Sequence, residues 1–178
     1  MLYSLNLGDA IESLQTTPDG CIWVSYFDEG VFGNGIGKEG LVCFDREGTP
    51  IFKYEAFAEE NNLPSICDCY AMNVDDTGAV WLNYYMEFPL VRLRNFKLDR
   101  VWRNFRVLGR AFAVRGNDLI HVRKQGLFLT RLLSPEEEPV SLVPEDVTGE
   151  TIPESRGYAA RGSTVAIYTG ESVYTMCS

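Results

Sequence analysis

The stretch Pro18-Asp19-Gly20-Cys21-Ile22-Trp23-Val24-Ser25-Tyr26 decides the fold class, because its pattern returns three times along the chain. It joins a tight Asp-Gly turn to a strand centred on a bulky residue. A second copy lies at residues 76–84, and shorter versions lie at 115–122 and 161–168. Repeats of about 40–50 residues built from short strands are typical of propeller blades. The sequence therefore predicts four blade-like units in one chain.

The rest of the chain also favours strands. Short apolar runs rich in Val, Ile, Tyr, Phe and Trp alternate with Gly, Pro, Asn and Asp, and only residues 56–62 have the pattern of a helical turn or two. We predict an all-β, propeller-like array of mostly antiparallel four-stranded sheets in a single domain, 1–178. The predicted units span about 8–55, 66–106, 109–144 and 156–178.

The fourth unit ends one strand short of the others. Residues 2–7 alternate well enough to supply an outer strand, which would complete the last blade and remove an exposed sheet edge. A closed ring of four blades is the economical interpretation. The alternative is an open arc that dimerises or belongs to a larger propeller.

One histidine invites a catalytic interpretation, since histidine is the commonest acid–base group. Aligning the four turns, however, places His121 where two other units have Trp23 and Trp81, with Ala166 in the fourth. We therefore predict that His121 is a packed core residue.

Charge and cysteine content narrow the functional classes. The 25 acidic and 16 basic residues give a net charge of −9, which disfavours nucleic acid and anionic membranes as partners. The N-terminus lacks the pattern of a secretory signal. The odd cysteine count favours reduced, buried thiols in a cytoplasmic protein, and we expect no metal and no cofactor. The five cysteines are Cys21, Cys43, Cys67, Cys69 and Cys177.

Several segments resemble known propeller proteins. The Asp-Gly-x-Ile-Trp-Val pattern is similar to repeats in bacterial sensor proteins. More closely, Gly8-Asp9-Ala10-Ile11, residues 23–34, Gly40-Leu41-Val42, residues 68–74 and Phe88-Pro89-Leu90-Val91-Arg92 resemble a family of uncharacterised bacterial propeller-like proteins. The resemblance implies the fold and brings no established activity.

The loops that leave each second strand are the first candidates for a site. They carry aromatic and acidic residues that suit a sugar or a cationic ligand. The first of them is long and contains four glycines in residues 30–39, which predicts a mobile loop rather than a phosphate cradle. The residues chosen here are Tyr26, Asp28, Glu29, Tyr84 and Glu87.

The loops that lead into each first strand should lie at the same end of the blades. They contribute Asp68 and Tyr70, together with Arg110 and Arg156. These charges either pair with one another or hold a small polar ligand. Asp9 lies in an equivalent loop, and two converging carboxylates could support glycoside chemistry.

The sequence leaves three functional classes open. We favour a binding or scaffolding module whose partner is a small polar ligand or a protein. The first alternative is a small-molecule or carbohydrate-active enzyme that uses acidic residues near the axis. The second is an assembly protein that forms a larger ring by dimerisation, so the chain is predicted to be a monomer or a homodimer.

Overall fold

The protein is described by a computed structural model over residues 4–105, 109–123 and 126–177. These residues form four small antiparallel sheets, three with four strands and one with three. The prediction of an all-β chain with four blade-like units is confirmed. The chain divides into two compact units: unit 1 contains Met1–Val74 and Gly78–Val107, and unit 2 contains Asp75–Thr77 and Leu108–Ser178.

Unit 1 begins with a sheet of four sequential strands joined as hairpins. The Asp19-Gly20 turn connects the first two, with a positive φ of 89° at Gly20 that suits glycine. The strands are β1 (Ile11–Thr16), β2 (Ile22–Tyr26), β3 (Leu41–Phe44) and β4 (Pro50–Lys53). Two short helices lie between β2 and β3, namely α1 (Asp28–Val31) and a 3-10 helix (Ile36–Glu39), and α2 (Tyr54–Glu60) follows β4.

The second sheet of unit 1 has the same order. Its strands are β5 (Asp68–Val74), β6 (Val80–Tyr85), β7 (Leu90–Arg94) and β8 (Lys97–Trp102). The apolar pattern of the sequence predicts the last strand at 100–105, three residues later than the observed β8. The reason is a two-residue turn at Asn95 and Phe96, whose φ values of 50° and 61° allow a tight hairpin without glycine.

The two sheets of unit 1 share one apolar core, in which Trp23, Leu82 and Tyr84 are buried. A buried side chain also joins their first strands. The Gln15 amide donates to the Met72 carbonyl at 3.1 Å and accepts from the Val74 N–H at 2.8 Å. These bonds satisfy polar groups that water cannot reach, so they fix the register between β1 and β5.

Unit 2 holds the third and fourth sheets. The third contains β9 (Phe112–Arg115), β10 (Asp118–Arg123), β11 (Gly126–Arg131) and β12 (Val140–Leu142). The fourth contains β13 (Gly157–Arg161), β14 (Thr164–Tyr168) and β15 (Val173–Cys177). The Val114 N–H donates to the Gly162 carbonyl at 2.9 Å. Ala113, Ile120, Val165 and Ile167 form the buried core between these sheets.

The described part of the N-terminal segment, residues 4–7, does not form the predicted outer strand. Residues 4–7 have no strand assignment and the last sheet has three described strands; Leu2 and Tyr3 lie outside the described residues. The segment instead packs on the first sheet. The Leu7 carbonyl accepts a hydrogen bond from the Tyr26 hydroxyl, and the Leu7 side chain packs against the cluster that contains Tyr26. These contacts use Leu7, one of the apolar residues that suggested a strand.

The glycine-rich insertion also differs from its prediction as a loop. It folds into α1 and the 3-10 helix, with Gly30 and Gly37 buried. A Cβ at Gly37 would lie 2.9 Å from the Gly30 carbonyl oxygen, so glycine permits this close backbone approach. Within the described parts of the chain, no helix has the length and hydropathy required to cross a membrane.

Candidate functional site

The end of unit 1 where β6 finishes and β5 begins carries the main candidate site. Asp68 opens β5 and is paired with Tyr85, the last residue of β6. The register is irregular between Asp68 and Ala71, as in a β-bulge. Bulges re-aim side chains beside binding sites, and here the irregular stretch contains the half-buried Tyr70.

Three aromatic rings meet at this end. Tyr70 stacks on Phe88 with centroids 6.0 Å apart and planes 12° from parallel. Tyr85 contacts the same Phe88 ring at 5.5 Å in a tilted arrangement. Tyr85 and Met86 remain 42% and 43% exposed, so the rings form an accessible apolar surface. Scattered apolar residues are normal on a surface, but a contiguous group suggests recognition.

Carboxylates lie beside these rings. Burial raises the pKa of the Tyr70 phenol, and the charge of Asp68 raises it further. Asp28 opens α1, which packs against β5, and its charge also raises the pKa of Tyr70. We call the group formed by Asp28, Asp68, Tyr70, Tyr85 and Phe88 the aromatic–acidic surface.

Two other predicted acidic residues are exposed in the same loops. Glu29 follows Asp28 in α1, and its N–H donates to the Asp28 carboxylate at 2.8 Å. Glu87 lies between Met86 and Phe88 with a positive φ of 61°. Both carboxylates therefore add negative charge at the loops that leave β2 and β6.

Two predicted site tyrosines are structural instead. Tyr26 is fully buried, its hydroxyl donates to Leu7, and burial raises its pKa to about 12. Tyr84 is also fully buried, and its hydroxyl lies 2.7 Å from that of Tyr54 and 3.1 Å from the Pro64 carbonyl oxygen. Alternation within each strand explains this placement, since both residues point into the core.

The structure adds Tyr85, Met86 and Phe88, which sequence reasoning did not select. Tyr85 follows Tyr84 by one residue, so it faces the opposite side of the strand and remains exposed. The alternation of side chains along β6 could therefore have identified Tyr85 from the sequence. Asp9, considered for the enzyme alternative, is exposed and accepts a hydrogen bond from the Ala10 N–H at 2.8 Å.

The two predicted arginines belong to unit 2. Arg110 and Arg156 both line a cavity of about 780 Å³ that also contains Arg123 and Glu154. Sequence reasoning did not select Arg123. Its position at the end of β10 corresponds to the strand-two exits that were considered in the first two units.

His121 is a core residue, as predicted. Its side chain is fully buried, its Nε2 lies 3.1 Å from the Thr130 hydroxyl, and its ring stacks on Phe128 with centroids 6.0 Å apart. Across the described residues, no group of three or more His, Cys, Asp and Glu side chains could hold a metal ion. Cys21, Cys43, Cys67 and Cys69 are free thiols, and the Cys177 side chain lies outside the described residues.

The repeated antiparallel sheets define a β-propeller-type repeat protein. The chain belongs to the YxzG family, whose family model matches residues 41–176. No curated protein matches the chain.

Two solved structures share the fold. The extracellular domain of BT4673 from B. thetaiotaomicron has a TM-score of 0.51 and 15% identity, covering 94% of this chain and 20% of that chain. PorZ, a bacterial surface component of the type-IX secretion system of Porphyromonas gingivalis, has a TM-score of 0.51 and 12% identity, covering 94% of this chain and 21% of that chain. The chain thus spans about a fifth of the length of each.

These structures overturn the cytoplasmic expectation, because one is an extracellular domain and the other a surface component. That expectation rested on the unpaired cysteines. Burial, however, raises the pKa of the Cys43 thiol and raises that of Cys69 to about 12. Thiols that are buried and protonated act as small apolar side chains, and such packing is compatible with any compartment.

Proposed function

We propose that the protein is a binding module and that its ligand is a small organic cation held on the aromatic–acidic surface of unit 1. The observation that carries the proposal is the stacked Tyr70–Phe88 pair, which lies at the end of unit 1 that also carries the exposed Tyr85, Asp68 at the start of β5, and Asp28 on the neighbouring α1. The extracellular domain of BT4673 and the surface component PorZ share the fold, and both descriptions fit recognition better than catalysis.

The chemistry of the surface favours a positive charge. Aromatic faces attract cations through their quadrupole, by about 0.5–2 kcal/mol according to desolvation. Asp68 and Asp28 add a direct Coulomb attraction. The chain's net charge of −9 also gives a negative long-range potential, which steers cations toward the protein.

The proposal is tested with choline and its neutral carbon analogue, 3,3-dimethylbutanol, by isothermal titration calorimetry. We expect choline to bind at least about tenfold more tightly, because only choline has the charge that the rings and carboxylates attract. Tyr70→Ala and Asp68→Asn should each weaken choline binding by about threefold or more. Glu136→Gln is the matched control, since Glu136 is an exposed carboxylate of unit 2.

Two results would count against this assignment. Equal affinity for choline and its neutral analogue would contradict a cation site. Choline binding that survives both Tyr70→Ala and Asp68→Asn would place the ligand elsewhere on the protein. If the protein instead prefers a neutral sugar such as glucose, and Tyr70→Ala abolishes that binding, the aromatic–acidic surface is the binding site but its ligand is not a cation.

A further inference from the structure

The fourth sheet ends in a strand edge that no described strand covers. In each of the other three sheets, an antiparallel fourth strand pairs with the third: β4 with β3, β8 with β7 and β12 with β11. β15 is the third strand of its sheet, and it pairs with β14 alone among the strands that the structure describes. The arrangement of the other sheets therefore indicates that this edge suits one further antiparallel strand.

The equivalent edges of the other sheets have features that discourage pairing. Proline, charged side chains and short length all keep an edge strand from pairing with another chain. β12 is only three residues long, and β4 and β8 carry a proline or charges: Pro50, Lys53, Lys97, Asp99 and Arg100. The sequence of β15, Val-Tyr-Thr-Met-Cys, has no charge and no proline over five residues. Of these four edge strands, β15 is the one best suited to accept another strand.

The hydrogen-bond pattern of β15 shows which of its backbone groups face the open edge. At the turn between β14 and β15, the Thr169 N–H donates to the Ser172 carbonyl at 3.1 Å. Bonded and non-bonded pairs alternate along antiparallel strands, so Tyr174 and Met176 direct their N–H and C=O groups toward β14. The alternate residues point these groups to the open edge: Val173, Thr175 and Cys177.

The side chains of β15 differ between its two faces. Tyr174 and Met176 are half-buried and pack against the apolar core of unit 2. Thr175 is exposed on the opposite face, and Val173 beside it is 65% exposed. A strand added at the open edge extends both faces, and its side chains contact those of Tyr174 and Met176 across the pair.

A second copy of β15 has the composition that this edge requires. Antiparallel pairing of two β15 strands around a two-fold axis at Thr175 aligns all five residues of each strand. In that register the outward groups of Thr175 bond to those of its counterpart, and Val173 bonds to Cys177 of the second copy. Tyr174 then lies opposite Met176 on the core face, in a non-bonded pair whose side chains approach closely.

Charge also favours this edge for a contact between copies. The net charge of −9 makes two chains repel each other at long range. β15 itself brings no charge to the contact, so its pairing adds no like-charge contact between strands. Salt screens the remaining repulsion, so association through β15 should strengthen as salt is added.

We propose that two copies of the chain associate through β15, so that the three strands of each fourth sheet join into one antiparallel sheet across a two-fold axis at Thr175. A contact made by one strand from each copy is small, so the association is weak and depends on concentration. It lies in unit 2 and uses no residue of the aromatic–acidic surface, so self-association and choline binding succeed or fail independently.

Sedimentation equilibrium on the whole chain tests the association. We expect the mean mass to rise from that of one chain toward that of two between about 10 and 500 µM protein, because small interfaces bind weakly. Raising NaCl from about 50 to 300 mM should increase the dimer fraction, since salt screens the repulsion between two negative chains. A mass of one chain throughout this range would overturn the proposal.

Amide hydrogen exchange on the wild-type chain locates the contact. The N–H groups of Val173 and Thr175 should exchange about threefold or more slowly at the higher protein concentration, because pairing gives them hydrogen-bond partners. The N–H groups of Tyr174 and Met176 already bond to β14, so their exchange should slow by a smaller factor. Slower exchange along β4 or β12, with none at Thr175, would place the contact elsewhere and contradict the proposal.

Substitutions at Thr175 test the register. Thr175→Lys and Thr175→Asp each put two like charges opposite one another at the two-fold axis, so each should weaken self-association by about tenfold or more. Because Thr175 is exposed, both variants should remain folded as single chains. An equimolar mixture of the two should associate again, since a lysine then faces an aspartate.

Ile51→Lys is the matched control for the added charge. Ile51 is 48% exposed on the edge strand β4, so its substitution should leave self-association unchanged. The proposal fails if either Thr175 variant dimerises as well as the wild type, or if their mixture stays monomeric. It also fails if Ile51→Lys weakens the dimer as much as Thr175→Lys does.

Discussion

Two buried tyrosine hydroxyls form a hydrogen-bonded chain inside unit 1. The Tyr84 hydroxyl donates to the Pro64 carbonyl at 3.1 Å, which leaves its oxygen to accept from Tyr54 at 2.7 Å. Burial raises the pKa of both phenols, so both keep their protons at neutral pH. The Tyr84 hydroxyl therefore both donates and accepts a hydrogen bond, whereas the Tyr54 hydroxyl donates one to Tyr84.

Removing the two hydroxyls should have unequal effects. Tyr84→Phe leaves the Tyr54 hydroxyl and the Pro64 carbonyl without their bonds, so we expect a loss of about 1–3 kcal/mol in the free energy of unfolding. Tyr54→Phe removes only a donor to Tyr84, and we expect about 1 kcal/mol or less. Urea denaturation of both variants measures the difference. Equal losses would contradict the assigned direction of the hydrogen bonds.

Tyr26 should make the fold sensitive to alkali. Its pKa is raised to about 12 in the folded protein by burial, against about 10 in an unfolded chain. A raised folded pKa contributes stability that is fully present below the unfolded value. That contribution is lost as pH rises from about 10 to about 12, and it amounts to about 2–3 kcal/mol at most.

We therefore expect Tyr26→Phe to reduce the alkaline loss of stability. The variant lacks the hydrogen bond to Leu7, so its free energy of unfolding at pH 8 should be lower than that of the wild type. Between about pH 10 and 12 its free energy should fall less steeply. Urea titrations over this range measure both quantities, and parallel pH profiles would show that Tyr26 ionises as readily in the folded protein as in the unfolded one.

At the scale of elements, turn chemistry predicted most strands. The sequence pattern predicts strands over Asp68–Val74 and Asp118–Arg123, and the structure has the same bounds, because apolar alternation and flanking turns both mark their ends. The helix α1 was missed because its four residues, Asp28–Val31, are too few to show helical periodicity. The start of β8 was predicted three residues too late because the Asn-Phe turn before it is a weaker turn signal than Asn-Gly.

Gly40, which caps the 3-10 helix at the end of the glycine-rich insertion, should matter far more to stability than Gly35 within the insertion. Gly40 has a φ of 69°, and a Cβ there would overlap the side chain of the buried Ile66. We expect Gly40→Ala to cost about 2–4 kcal/mol through backbone strain and overpacking. Gly35→Ala is the control, since nothing lies within 4 Å of its added Cβ, and we expect about 0.5 kcal/mol or less. Thermal denaturation of the two variants checks this order.

At the scale of the whole molecule, the sequence predicted the blades better than the surfaces. Repeated turns identify strands because each turn marks the ends of the strands next to it in the sequence. The aromatic–acidic surface depends on pairing between strands: Tyr70 of β5 stacks on Phe88, which follows β6, and the register of β5 is irregular between Asp68 and Ala71. The same limit hid Arg123, since its neighbours in the cavity come from three loops separated along the sequence.

The central claim is that unit 1 recognises a cation on its aromatic–acidic surface, and its most direct test is a two-dimensional NMR titration of the isotopically labelled protein with choline. We predict that the amide shifts will concentrate at Asp68, Tyr70, Tyr85 and Phe88, and that Tyr70→Ala will abolish them. Shifts concentrated at the Asp19-Gly20 turn, or no shifts at saturating choline, would contradict the account.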